Sequence, residues 1–422
     1  MTKIAIIGAG IAGVTTAYDL ILRGYDVTLF DRNRYPAMET SFANGGQLSA
    51  SNAEVWNNWS TIFKGLKWLL RKDAPLLVNP KPSLHKYSWM AEFISNIHNY
   101  EKNTIYTTKL AIEARKRLFQ IAKDESIDFD HERRGILHIY RSRSGFEHAK
   151  KVNSMLLAGG LERTELTNEE IHLLEPALTG EFYGGFHTPS DSTGDIHKFT
   201  RGLAAAAVRR GVRLVQDADV NSLEHNGKSI RVRWKTDDGC AEFDAVVICA
   251  GVASRRFASQ VGDRVNVYPV KGYSITVNLN DTESQSAAPW VSLLDDDAKI
   301  VTSRLGVGRM RIAGTAEFNG DNRDIRNDRI MPLLSWSREL FPNMSTANVV
   351  PWAGLRPMMP DMLPRVGPGK RRGVFYNTGH GHLGWTLSAA TAELVGSEIS
   401  QAFPPDVSSV HETRLSDRRA GR

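Results

Sequence analysis

Cysteine is nearly absent from this chain, with Cys240 and Cys249 the only two among 422 residues. That excludes a disulfide framework and a cysteine-built metal site, and it suits a reducing cytosol. Long apolar runs are missing too, since none approaches the roughly 18 residues a membrane-spanning helix requires. The chain enters an apolar, β-branched segment at its very start, so no signal or transit segment is expected. There is no internal repeat, no low-complexity stretch and no concentrated basic block. The 53 Lys and Arg against 47 Asp and Glu give a formal net charge of +6. Spread along the chain, that charge suits anionic substrates or an anionic membrane surface, and it leaves no nucleic-acid footprint. Composition is otherwise ordinary for a globular protein long enough to hold two domains.

What is present is concentrated first at the N-terminus. Lys3 to Ile7 reads as a buried strand, and Gly8, Ala9, Gly10, Ile11, Ala12 and Gly13 follow without a gap. Ile11 to Arg23 has helical spacing, Gly24 stops it, and Asp26 to Phe30 is a second strand ending on Asp31. This strand–turn–helix–strand unit binds a dinucleotide. Gly8 permits the tight turn, Gly10 leaves backbone bare for a pyrophosphate, and Gly13 lets the helix approach the sheet. The helix dipole and its free N–H groups face the phosphates, and Asp31 stands where a carboxylate takes ribose hydroxyls.

Beyond Asp31, residues 32–52 form a Ser-, Asn- and Gly-rich loop, either a ligand loop or a solvated surface. Val55 to Leu77 interleaves Trp56, Trp59, Phe63, Leu66, Trp68, Leu69 and Leu70 with Lys64, Lys67, Arg71 and Lys72. Positions 59, 63, 66 and 70 share a helical face, which either lies on a membrane or packs on its own domain. Ser88 to Lys123 is helical, and a strand follows near Gly135 to Tyr140. Thr167 and Glu170 form a capping box. From Arg201 the grammar of the first unit returns: helix, strand, an antiparallel pair around Asn226 and Gly227, then an apolar strand ending on Ala250 and Gly251. The dinucleotide domain is therefore discontinuous. The pattern predicts an α/β (α+β) chain with a Rossmann-like domain built from residues 1–55, 190–260 and 350–402. A second, antiparallel-sheet domain for the substrate takes residues 56–189 and 261–349, and residues 403–422 form a basic, frayed tail.

Four longer motifs carry a resemblance. They are Glu39-Thr-Ser-Phe-Ala-Asn-Gly-Gly-Gln47, Pro269-Val-Lys-Gly-Tyr-Ser274, Gly354-Leu-Arg-Pro-Met-Met-Pro360 and Asn377-Thr-Gly-His-Gly-His-Leu-Gly-Trp-Thr386. With the fingerprint, and over nearly the whole chain, they resemble the FAD-dependent amine oxidoreductases of the D-amino-acid oxidase fold. Within that family they are similar to the small subunits of bacterial D-amino-acid dehydrogenases. The resemblance implies non-covalent FAD and oxidative deamination of D-amino acids to 2-oxo acids and ammonia, by hydride transfer to flavin N5. It further implies electrons passed to a quinone or other respiratory acceptor, in a cytoplasmic protein peripheral to the inner membrane. Gly46 and His382 depart from the family pattern, where an alanine and a small polar residue are expected. The alternatives are an oxygen-reducing amino- or imino-acid oxidase and a non-catalytic subunit that holds FAD.

On that reading the cofactor runs from Asp31 and Arg32 past Gly10 to Ser41, Asn44, Gly45, Gly46 and Gln47. Val220 touches adenine, and Ala250 and Gly251 line the nucleotide. Gly379, His380, Gly381, Gly384, Trp385 and Thr386 approach the isoalloxazine. A substrate carboxylate calls for a cation, and arginine offers a bidentate fork. Arg356 is the candidate, in the position resembling the carboxylate-binding arginine of related oxidases; its bland reading is a structural salt bridge. Tyr273 binds substrate carboxylate or amine, or is an ordinary sheet aromatic, and Lys271 carries the same two readings. His380 and His382 lack acidic or cysteine partners at ligand spacing, so no metal is expected. Asp295 to Asp297 reads as a solvated turn, and Cys249 as a buried strand residue.

Overall fold

The computed structural model describes residues 1–68 and 75–405. Lys3–Ile7 lies at the centre of a six-stranded sheet, with Ala245–Ile248 parallel to it on one side and Asp26–Phe30 on the other. Val374–Thr378 and Arg213–Val215 extend the parallel array outward, and Arg365–Pro368 closes one edge antiparallel. Because side chains alternate across a strand, Ile4 and Ile6 enter one core and Ala5 and Ile7 another. The first core is roofed by helices Ile11–Leu22, Ile196–Arg209 and Gly384–Ala402. The second is covered by the three-stranded antiparallel sheet Val220–His225, Ile230–Trp234 and Cys240–Phe243. Burial on both faces is why these strands read as continuous apolar runs.

The other large sheet runs Val349–Met358, Tyr268–Asn278, Arg309–Phe318, Ile300–Arg304, Ser292–Asp295, Ile136–Tyr140, Gly184–Thr188 and Thr164–Leu166. It is mostly antiparallel, with two parallel pairings, Ser292–Asp295 on Ile136–Tyr140 and Leu76–Val78 on Arg309–Phe318. Helix Asn327–Leu340 packs Ile330, Leu333, Leu334 and Trp336 onto it.

Several expectations are corrected here. Val349–Met358 pairs along its length with Tyr268–Asn278, so residues 350–358 belong to this sheet and the chain returns to the nucleotide sheet only at Arg365–Pro368. The helical stretch after Ser88 is two helices, Leu84–Ser95 and Tyr100–Asp124, joined by a tight turn at Ile97–Asn99. The second of these places Leu118, Phe119 and Ile121 in the nucleotide core, so residues 56–189 do not keep to one domain. The aromatic segment forms helix Trp59–Trp68 and, after residues 69–74, strand Leu76–Val78. Leu69, Leu70, Arg71, Lys72, the side chains of Lys64, Leu66, Lys67 and Trp68, and the tail from residue 406 lie outside the described residues. The capping box closes with both hydrogen bonds, Glu170 N–H to Thr167 Oγ1 at 3.3 Å and Thr167 N–H to Glu170 Oε2 at 2.8 Å.

Candidate active site

A cavity of about 770 Å³ is bounded by the carboxyl ends of the parallel strands and by the large sheet. Every predicted cofactor residue lines it except Ala9 and Gly13, which act behind the wall. Ala9 N–H donates to Asp31 Oδ2 at 2.7 Å. A Cβ on Gly13 would stand 1.8 Å from the Gly8 carbonyl, so helix and turn touch as closely as backbone allows. Gly8 itself has φ +106, and its missing Cβ would meet the Cys249 carbonyl at 2.8 Å. Helix Ile11–Leu22 starts at Gly10 with no cap from that residue, and of its first N–H groups Ile11's goes to Ser41, which leaves those of Ala12 and Gly13 for an anion. Asp31 takes Asn33 N–H on Oδ1 at 2.8 Å, and burial pushes its carboxyl upward against these bonds. A carboxylate has about four acceptor sites, so room for ribose hydroxyls remains. Arg32 pairs with Glu39 at the rim. Val220 accepts Arg256 on its carbonyl at 2.9 Å, and Gly251, φ +53, has only open space where a Cβ would stand.

The glycine-rich loop is clamped to the large sheet. Asn44 Oδ1 takes Gly46 N–H at 2.9 Å, Ser303 donates to the Gly45 carbonyl at 2.6 Å, and Gln47 Nε2 reaches Ser292 Oγ at 2.8 Å. Ser41 Oγ receives Ile11 N–H at 3.0 Å, tying this loop to the fingerprint helix. Arg311, which nothing in the sequence singled out, holds the Asn44 carbonyl from behind at 3.1 Å, and burial lowers its guanidinium to about 10. Opposite stands the turn before helix Gly384–Ala402. Gly379 and Gly381 have φ +77 and +58, and a Cβ on the latter would meet Met358 Sδ at 2.8 Å. Thr386 Oγ1 takes Ser49 N–H at 3.2 Å. His380 bonds Thr391 Oγ1 at 2.9 Å and, held near 4 by burial, is a neutral brace for the turn. His382 stacks on Trp56, with centroids 4.8 Å apart, and gives Nε2–H to the Asn52 carbonyl at 3.2 Å.

Arg356 forms part of the cavity wall. Its Nη1 donates to the Thr315 carbonyl at 2.9 Å, and among the described residues no carboxylate pairs with it. Burial alone lowers it to about 10, so it remains a cation at neutral pH. The structural salt bridge is therefore not what holds it. Gly272, directly across the strand pair from Gly354, makes the space, because a Cβ there would lie 2.4–2.5 Å from the guanidinium. Thr315 is a β-branched residue at φ +61, beside a break in register between Tyr268–Asn278 and Arg309–Phe318. Such conformations cost energy and gather at functional sites.

Tyr273 lines the cavity, and its hydroxyl donates to Glu317 Oε2 at 2.7 Å, which leaves the oxygen free only to accept from a substrate. Lys271 belongs to the same buried group, 3.4 Å from Glu317 and 2.6 Å from Asn322 Oδ1. Of the segment read as a solvated turn, Asp295 instead ends strand Ser292–Asp295, fully buried under Trp336 Nε1 at 2.8 Å, while Asp296 and Asp297 do form the turn, Asp296 lining the cavity and Asp297 exposed. Cys249 is buried, and its thiol is pushed up to about 12.

Four residues of the cavity wall, Thr315, Asn377, His382 and Trp385, each keep a buried polar atom with no hydrogen-bond partner among the described residues. Buried polar groups are seldom left so, and four around one cavity suit a large polar ligand such as FAD.

Comparison with known proteins agrees. The model of the FAD dependent oxidoreductase family matches residues 3–397. D-amino acid dehydrogenase 3 of Mesorhizobium japonicum is 62% identical over 96% of this chain and 99% of its own length. The D-amino acid dehydrogenase of Paramagnetospirillum magneticum is 40% identical, covering 94% and 95%. Glycine oxidase from Geobacillus kaustophilus shares the fold, with a TM-score of 0.75 at 20% identity over 95% of each chain. The chain belongs to the family of FAD-dependent oxidoreductases.

Proposed function

We propose that this chain is an FAD-dependent D-amino-acid dehydrogenase, converting D-amino acids to 2-oxo acids and ammonia. The observation that carries the substrate assignment is Arg356, a half-buried cation in the cavity wall with no carboxylate partner among the described residues. Its planar fork suits an α-carboxylate held by two parallel bonds. The fingerprint helix, Asp31 and the clamped loops hold the cofactor, while Arg356 orients the substrate's Cα. The bound flavin supplies the two-electron acceptor for that carbon's hydride. The chain's own part is orientation and exclusion of water, and the resulting imine hydrolyses without a dedicated nucleophile.

We further propose that a lipid-soluble quinone takes the electrons at the cytoplasmic face of a membrane. Among the described residues no helix is long and apolar enough to cross one. Helix Trp59–Trp68 supports surface contact instead. Its Ser60, Thr61, Ile62 and Gly65 line the cavity, while Trp59 and Phe63 are exposed. Leu84, 89% exposed, and Tyr87 add apolar surface on helix Leu84–Ser95.

The test is anaerobic bleaching of the bound flavin by D-alanine, L-alanine, D-proline, glycine and sarcosine, followed by re-oxidation with quinone or air. Bleaching by D-alanine with fast recovery by quinone and slow recovery in air is expected. Fast recovery in air would make the protein an oxidase, and no bleaching would leave an enzyme of narrower substrate range or a subunit that only holds FAD.

A further inference from the structure

Between strand Gln47–Leu48 and helix Trp59–Trp68 the chain alternates with period two. Asn52, Glu54, Trp56 and Asn58 line the cavity, while Ala53, Val55 and Asn57 are buried behind it. Two of the inward residues grip His382, Asn52 through its carbonyl and Trp56 through its ring. Glu54 lies between them. His382 is held near 4 chiefly by burial, with Arg356 pushing the same way and Glu54 opposing, so both charges act on one imidazole. The cavity thus brings a cation, Arg356, and an anion, Glu54, within electrostatic reach of His382.

Glu54 is held by one oxygen only. Oε1 accepts Tyr100 O–H at 2.5 Å and His148 Nε2–H at 3.3 Å, and among the described residues nothing takes up Oε2. The neighbouring cavity carboxylate, Asp296, holds the Lys299 ammonium directly at 2.5 Å, and the same ammonium acts on Glu54 through space without bonding it. Glu54 therefore offers an anchored, half-buried carboxylate oxygen in the wall that also carries Arg356.

We propose that Glu54 determines specificity by receiving the cationic side chain of a D-amino acid whose α-carboxylate lies on Arg356. The enzyme then prefers substrates with an ammonium or guanidinium side chain over neutral ones of equal length. The α-amine is the poorer partner: a carboxylate beside it would favour its ammonium form, which cannot release a hydride. This inference rests on the functional reading above.

Two measurements test it on the FAD-loaded enzyme. The first is the kcat/KM ratio of D-lysine to D-norleucine, and the second is the flavin absorbance change on titration with 6-aminohexanoate against hexanoate. Both should favour the cation. Glu54→Gln should lower the ratio about 10- to 100-fold, the scale of one charge-assisted hydrogen bond, and should abolish the difference between the two acids. Glu54→Asp, which keeps the charge, should retain part of the preference. A wild-type enzyme indifferent to side-chain charge overturns the inference. So does a Glu54→Gln variant that loses D-lysine and D-norleucine equally, which would place Glu54 on the α-amine or in a structural role. Failure of D-alanine itself to bleach the flavin would instead overturn the functional reading, and this inference with it.

Discussion

Arg356 shows how one side chain becomes available through what its neighbours lack. The guanidinium lies where Gly272 has no Cβ, and it is aimed by a carbonyl that Thr315 presents from a left-handed backbone. Gly272→Ala should therefore act on substrate binding from the neighbouring strand. Its methyl would push the guanidinium aside, raising KM for D-alanine about tenfold or more with a smaller change in kcat. Arg356→Lys keeps the charge and loses the fork, with a loss of about 10- to 100-fold in kcat/KM expected. Steady-state kinetics on both variants, with FAD content checked by absorbance, decides the matter; unchanged KM in both would remove Arg356 from the site. The sequence made Arg356 readable because Gly354 and Pro357 set it in a compact local motif. How the Tyr273 hydroxyl is held was not readable, because its partner, Glu317, lies 44 residues away on the adjacent strand. Glu54 was invisible for a similar reason, since an isolated carboxylate acquires meaning only from Tyr100, His148 and His382.

At the level of elements, periodicity conveyed which segments fold and left open what each faces. Trp59 and Phe63 fall one helical turn apart, and the structure puts both rings outside while Ile62 and Gly65 of the same helix turn to the cavity. A helix with one face on the active cavity and an exposed aromatic pair on the other suits an acceptor that arrives through a lipid surface. Trp59→Ser with Phe63→Ser should weaken co-sedimentation with anionic phospholipid vesicles and slow quinone reduction in those vesicles. Reduction of a water-soluble dye by D-alanine should persist, because neither residue lines the cavity. Unchanged vesicle binding would end the membrane reading. Strand boundaries were less legible than the helices. Val349–Met358 follows two flavin-type motifs in sequence style yet pairs along its length with Tyr268–Asn278, a pairing that depends on register across some eighty residues of chain.

For the whole molecule, the N-terminal unit could be read residue by residue because strand, turn, helix and acid are contiguous and each obeys a local rule. The interlocking of two sheets through one cavity could not, since it depends on contacts such as Arg311 to Asn44 and Gln47 to Ser292 that span the chain. That interlocking also buries histidines as neutral groups, which couples stability to pH. His131, His380 and His382 titrate near 4, and His138 lies well below its ordinary value, all chiefly through burial. In the unfolded chain they titrate near 6.5. Between about 4 and 6.5 the unfolded state therefore binds more protons, so stability falls as pH drops through this window. His380 alone, 5% exposed, should account for about 2 kcal/mol at pH 5. Half-buried Asp19, Asp31 and Asp361, raised above their ordinary values, act in the opposite sense near the acid edge. The melting temperature should accordingly fall by about 5 °C or more from pH 7.5 to pH 5. His380→Gln, which can keep a bond to Thr391, should flatten that slope. A melting temperature independent of pH across this range would mean that these imidazoles are not buried as neutral groups in solution.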